Sequence, residues 1–394
     1  MPAAKSKSKL GASPVAFDFT PLRSGRTVKT PHRVRKCTNL VWFDLAAIWS
    51  FCSSPEFHGA IRRIDQKTNV TNATLVKVPF DLKHWQTVAE EVGPLPEPTS
   101  NDPTQWLFKG DIFNSTDPLQ VAVARMLGYR WPEQPKEKDN TDAFTDEDGI
   151  VCVLAVRSER PASERLLDVL GAAYSQEWSD AVLLKLLTDA GSAPGTSLEE
   201  WLRNEFFAQH CKRFHNRPFI WHIWDGRMDG FSCLVNYHKL IHKLFETLTN
   251  SYLQDWLTTQ TAAAKVGEPD ADLRLVAAQE LQNKLKLVLV GEPPYDIFVR
   301  WKPIEEQPIG WNPDLNDGVR RNICPFMTAE ALRKRPSINW SKDRGSEPIR
   351  EQERYPWLWK NGVFTGDRIN DYHLANAQRR AARENLATTH TGGI

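Results

Sequence analysis

The sequence predicts an α+β protein, predominantly helical with short strands, in which a long antiparallel helix pair adjoins a mixed α/β recognition region and no complete Rossmann-like core is present. Three observations predict this. Leucines and valines at 273, 276, 281, 285 and 288 fall close to helical spacing. Short apolar runs bounded by polar or turn residues, IVCVLAV (150–156) and FIWHIWD (219–225), have the length of strands. The chain contains no GxG anywhere, so it lacks the glycine turn that lets backbone approach a cofactor on a doubly wound sheet.

The elements follow in order. Residues 43–65, FDLAAIWSFCSSPEFHGAIRRID, are expected to be largely helical, and NATLVKVPF (72–80) has the β-branched alternation of a strand stopped by Pro79. LQVAVARMLGYRW (119–131) is a helix. After PEQPKEKDNTDAFTDEDG (132–149), with seven acids and two lysines and no apolar period, comes the buried-strand run at 150–156. Helices are expected at 163–178 and 180–190. Ser197 with Glu200 three residues later is a capping box for a helix over WLRNEFFAQHCKRFH, with Trp201, Phe206, Phe207 and Cys211 on its apolar face. A strand at 219–225 leads through two glycines into a long helix over 233–265, which pairs with the helix over 270–289. A charged helix over 368–386 carries Arg379, Arg380 and Arg383, and TTHTGGI is expected to fray.

At 394 residues and 41% hydrophobic, the chain is long enough for two or three units of roughly 100–200 residues. Wholesale disorder and collagen-like repetition are excluded. The longest dense apolar runs, AVLLKLL and LKLVLV, are far shorter than the roughly 18–20 residues a membrane helix needs. The N-terminus has no apolar signal region, and six scattered cysteines without a CxxC pair suit reduced thiols, so a cytoplasmic location and no membrane association are expected.

The formal charge of +1 conceals a division. Residues 1–36 carry nine Lys or Arg against Asp18 alone, about +8, leaving about −7 for the rest. From Arg300 to Arg383 there are 16 basic residues against 11 acids, interleaved with Trp301, Trp311, Trp340, Trp357, Trp359 and Tyr355. Cations for phosphates among flat rings that stack on bases suit a nucleic-acid surface. The predicted organisation is therefore a basic arm (1–40), a helix and strand region (41–131), an acidic linker (132–149), a helical domain with the long hairpin (150–290), a basic aromatic-rich recognition region (291–386) and a disordered tail (387–394).

Motifs for chemistry are mostly missing: there is no GxxxxGK[ST], HExxH or GxSxG. GEPPYDIF (291–298) imitates the [NDS]PP[YFW] motif of amino-methyltransferases, but Glu292 stands at its first position. A rigid Pro-Pro turn between a helix and a strand over IFVRW is the simpler reading. His210, Cys211, His215, His222, Cys233, His238 and His242 lie within 33 residues. On helical spacing Cys211/His215 and His238/His242 can converge on zinc, whereas the surrounding aromatics favour histidines satisfied in a core. WDGRMDGF (224–231) lacks the DxDxDG and terminal Glu of a calcium loop and reads as a tight turn projecting Arg227 and Asp229, structural or contacting DNA.

Several longer runs carry a resemblance: CSSPEFHGAIRRIDQKTNVTNATLVKVPFD (52–81), DPTQWLF (102–108), DPLQVAVARMLGYRWP (117–132), HCKRFHNRPFIWHIWDGRMDGFSCLVNYHKLIHKL (210–244), GEPPYDIF through SKDRG (291–345), RINDYHL (368–374) and QRRAARE (378–384). The chain resembles the C-terminal, target-recognition half of large prokaryotic adenine-N6 DNA methyltransferases, the type IIG-like enzymes of restriction-modification and of BREX and DISARM phage defence. That resemblance implies double-stranded DNA as a partner and a catalytic core, on a separate polypeptide, that binds S-adenosylmethionine. Lacking GxG and [NDS]PP[YFW], the chain departs from such enzymes by having no methylase core, so no cofactor and no catalytic residue are expected in it, no metal is expected either, and by itself it is expected to be inactive. A scaffold subunit of a defence complex is the alternative. The residues expected at DNA are Arg217, Arg227, Arg300, Lys302, Asn316, Arg320, Arg321, Arg333, Lys334, Arg335, Lys342, Arg344 and Arg368, with Trp311 or Trp340 holding an opened duplex.

Overall fold

The computed structural model describes residues 45–65, 72–75, 77–93, 110–131, 140–339 and 347–391. Two compact units divide the chain, one over Leu22–Pro98 and the other over Met1–Pro21 with Thr99–Ile394. The expected basic arm and the first eight positions of the acidic stretch lie outside the described residues.

The smaller unit is helical. The helix expected over 43–65 breaks into 45–52 and Pro55–Ile64, because Ser54 turns extended and its hydroxyl accepts the Phe57 N–H at 3.1 Å while Pro55 opens the new helix. Phe51, Phe57 and Trp85 meet at ring distances of about 5.0 Å and bury one face of these helices and of Leu82–Val92. The described residues of NATLVKVPF form no strand. Asn72–Leu75 is a helical turn whose carbonyls take the N–H groups of Lys77 and Val78, and a lone β-branched run has no ladder partner among the described residues.

In the larger unit, β1 (Ile150–Cys152), β2 (Ile220–Trp224) and β3 (Ser232–Asn236) form one antiparallel sheet in the order β1-β3-β2. β3 corrects the expected helix over 233–265. Its residues Cys233, Leu234 and Val235 pair on both sides, Cys233 with Cys152 and with Ile223, and a doubly buried strand reads as a continuous apolar run without alternation. Helix resumes only at His242–Thr247, continues through a π-helical turn at Leu248–Tyr252 and runs on over Leu253–Lys265. The Ala271–Val290 helix folds back antiparallel to it, with Arg274 donating to Gln260 at 2.6 Å and Gln282 to the Thr249 carbonyl at 3.1 Å.

The Pro118–Met126 helix is buried from Leu119 to Met126 and packs in the main core with Ala162–Tyr174, Leu198–Asn204 and Phe206–Arg213. The capping box at Ser197 and Glu200 is formed, but the helix it starts is interrupted at Glu205, so Trp201 and Phe206 enter the core from two helices. Residues 140–149 are not a solvated linker: Thr141 and Asp146 are buried, and Asp142 binds Arg125, itself 2% exposed.

A second, smaller cluster of Phe298, Tyr355, Trp357, Leu358 and Leu374 forms beside a two-stranded hairpin, β4 (Trp359–Lys360) with β5 (Val363–Phe364). IFVRW is not a strand; Gln307 bonds the Val299 N–H and carbonyl in place of a ladder. The last helix runs from Asn376 to Thr391 rather than over 368–386, reaching into the stretch expected to fray. Gly291 closes the Ala271–Val290 helix at φ +68°, and a Cβ there would stand 2.7 Å from the Gly310 Cα, so this junction requires glycine.

Candidate nucleic-acid interface

The outer edge of β2 is covered by the chain at 331–333. Trp224 donates to the Ala331 carbonyl at 3.0 Å and Arg333 to the His222 carbonyl at 2.9 Å, a short ladder that continues the sheet. Arg333 itself is spent locally: its guanidinium lies 4.2 Å from the Trp224 ring centroid and its Nε donates to the Arg203 carbonyl. The antiparallel direction then carries Lys334 and Arg335 towards the start of β2. There the Phe206–Arg213 helix ends in a tight turn with two consecutive left-handed residues, His215 (φ 51°) and Asn216 (φ 59°). The Asn216 Oδ1 accepts the Ser337 N–H at 2.9 Å and ties the two segments together.

The result is a basic edge. Lys212, Arg213, His215, Lys334 and Arg335 are exposed and Arg217 is half-buried. Arg213 pairs with Asp117 at 3.0 Å. Lys334 stands close enough to oppose the burial that pushes the Cys211 thiol up to about 12, and Arg335 does the same for Cys324, also held at about 12. RKRP thus presents one structural cation, Arg333, followed by two that face solvent.

The other expected DNA contacts are elsewhere and largely bound to the chain's own polar groups. Lys302 pairs with Asp317 and with Asp314. Arg321 is buried and donates to Asn370, as does Arg300, and both guanidiniums lie against the half-exposed Trp301 ring. Arg368 lies 3.2 Å from Glu347. Arg227 grips Asp229 through Nε and Nη2 at 3.0 and 3.1 Å, inside a loop whose Asp225 carboxylate takes the N–H groups of Arg227 and Phe231. Arg320 and Asn316 are half-buried. Lys342, Arg344 and Trp340 lie outside the described residues. Trp311 is in the core, 1% exposed with its Nε1 donating to the Leu240 carbonyl, and takes no part in holding a base.

GEPPYDIF holds the last helix in place. The Glu292 carboxylate accepts the Asn376 N–H at 3.2 Å at the start of the last helix. Asp296, fully buried, accepts from Arg379, from the His373 ring at 2.6 Å and from the Leu374 N–H at 3.3 Å. Arg379, expected on a charged surface, is the most deeply buried cation among the described residues, and Arg383 donates to the carbonyls of Glu305 and Gln307.

The histidine and cysteine cluster is dispersed by the sheet. His210 is buried, its ring bonded to Gln120 and to the Ile220 N–H at 3.0 and 3.1 Å. His222 is buried in β2 with the Phe207 ring 6.2 Å away, and burial holds both rings down at about 3. His238 meets the Tyr129 hydroxyl at 3.0 Å, while His242 begins the next helix beside Glu246. Among the described residues no three His, Cys, Asp or Glu side chains are grouped to hold a metal.

One constellation escaped sequence reasoning because it joins the acidic stretch to the π-helical turn. Asp146 accepts the N–H groups of Gly149 and Ile150 and pairs with Arg165 at 2.8 Å. Tyr252, carried inward by the π turn, donates to Asp148 at 2.9 Å and lies 3.3 Å from Glu159, with the Arg157 guanidinium over its ring. Burial, with Asp146 beside it, raises the Asp148 carboxyl to about 6, and Tyr252 is held well above its ordinary range by burial and the same acids. Asp146 is instead held low: its bonds to Asp148, Arg165 and Gly149 together outweigh burial, the largest single influence, which acts to raise it. The cluster fastens β1 to the 162–174 helix and the 248–252 turn. Its sequence signal was present in DEDG, where the excess of acid masked the buried members.

No family model matches the chain, and no curated protein matches it.

Proposed function

We propose that this chain is the DNA-binding, target-recognition part of an S-adenosylmethionine-dependent, adenine-specific DNA methyltransferase of the restriction-modification or phage-defence kind. It acts in the cytoplasm on double-stranded DNA with a catalytic core supplied by a separate polypeptide, which holds the cofactor. The nucleic-acid part of this reading is carried by one observation: Lys334 and Arg335 emerge exposed from the edge of β2, beside the turn that carries Lys212, His215 and Arg217. Such an edge neutralises phosphates and fixes register. The methyltransferase part rests on the sequence resemblance, and the separate core on the lack of the GxG turn with which a doubly wound sheet approaches its cofactor.

The number of cations tied to acids and amides of the same chain, Lys302, Arg300, Arg321 and Arg368 among them, favours a second reading, a non-catalytic scaffold subunit. Salt separates the two. Affinity for a duplex is expected to fall steeply between 50 and 200 mM salt, and Lys334→Ala with Arg335→Ala to weaken binding on every sequence and flatten the slope of log affinity against log salt by about 1–2. Duplex affinity indifferent to salt, or to that double change, supports the scaffold. Tight S-adenosylmethionine binding by this chain alone overturns the separate core.

A further inference from the structure

The Ala271–Val290 helix is apolar on two opposite faces. One, formed by Ala271, Ala278, Leu281, Leu285 and Val288, is buried. The other carries Leu273, Val276, Leu287 and Val290 at 54, 52, 47 and 57% exposure, with exposed Glu280 and Asn283 between them. These six positions step by 3, 4, 3, 4 and 3 residues, the seam of a coiled coil. Apolar side chains aligned on one exposed face mark an interaction surface more often than scattered ones do.

The seam is also self-complementary. About a point between Leu281 and Gln282, Leu273 is the counterpart of Val290, Val276 of Leu287, and Glu280 of Asn283. An isologous two-fold contact demands this relation, residue i meeting j while j meets i. We infer that the chain forms an antiparallel two-fold dimer through this face of the 271–290 helix, with a second copy as the partner. Apolar layers meet at both ends. In the middle the Asn283 amide of each copy donates to the Glu280 carboxylate of the other, so the polar layers fix the register. On the flanks Lys286 lies opposite Gln279 and Lys284 opposite Ala277, so no like charges oppose one another. The dimer is independent of the nucleic-acid reading.

Sedimentation of the full chain across a wide concentration range tests it. Wild type is expected to move from monomer to dimer, and Val276→Asp with Leu287→Asp to associate at least about tenfold more weakly with an unchanged far-UV spectrum. Should that variant fold poorly, oxidation of Leu273→Cys with Val290→Cys decides. The two positions lie about 25 Å apart along one helix, too far to bridge within a chain. A 273-to-290 link between copies is therefore expected. Wild type monomeric at every concentration, a dimer that the aspartates leave intact, or links joining 273 to 273 each overturn the inference. A monomer is also the outcome if another segment of the chain covers this face.

Discussion

Replacing Arg379 by methionine removes the cation that anchors the last helix while keeping an unbranched side chain of similar volume. Arg379 and Asp296 are both fully buried, and the guanidinium donates to Asp296 and to the carbonyls of Ile297 and Pro308. Burial already lowers the Arg379 pKa, so the pair is held by its mutual attraction and hydrogen bonds against a desolvation cost. After the change the Asp296 carboxylate keeps the His373 ring and the Leu374 N–H but no buried countercharge. Breaking such a pair from one side costs about 3–5 kcal/mol. With about 2–4 °C lost per kcal/mol in domains of 150–250 residues, Arg379→Met should melt roughly 6–20 °C below wild type. Adding Asp296→Asn removes the stranded charge, so the double variant should be more stable than the sum of the single losses by about 2 kcal/mol. Urea titrations of the four proteins measure the cycle. A loss below about 1 kcal/mol for Arg379→Met, or strict additivity, refutes the pair as the anchor of the last helix.

Two further perturbations probe the acid cluster and the glycine junction. Asp148 titrates near 6 in the fold against an ordinary 3.8. A raised carboxyl favours the folded state only while protonated, so its contribution is present below about pH 4 and is lost as pH rises through about 6. The full shift corresponds to about 3 kcal/mol, and the partial exposure of the group reduces the expectation to about 1–2 kcal/mol. Asp148→Asn should therefore equal wild type near pH 4 and exceed it by that amount at pH 8; parallel urea midpoints across this range would falsify the assignment. Gly291→Ala places a Cβ 2.7 Å from the Gly310 Cα at a left-handed φ and should cost about 2–4 kcal/mol in urea unfolding, whereas a change within 0.5 kcal/mol would show that the junction yields.

The sequence by itself determined the elements whose signals are local. Ser197 and Glu200 announce a cap because both partners lie within one turn, FIWHIWD announces a strand by length and composition, and the 271–290 helix is announced by apolar residues at helical steps, although Leu273 and Val276 lie on its exposed face and Leu281, Leu285 and Val288 on its buried one. It misplaced β3 because Cys233, Leu234 and Val235 are buried on both faces, which erases the alternation that separates strand from helix. Only the tertiary structure decided which charges face water. RKRP and QRRAARE look alike as basic runs, yet Lys334 and Arg335 are exposed whereas Arg379 is sealed against Asp296, 83 residues earlier in the chain. The same holds for DEDG, whose acids read as solvated until the π turn brings Tyr252 to Asp148 across 104 residues. A charged side chain has no period or propensity that records its partner. Its burial depends on a countercharge or donor delivered by a distant segment, and that is a property of the assembled fold.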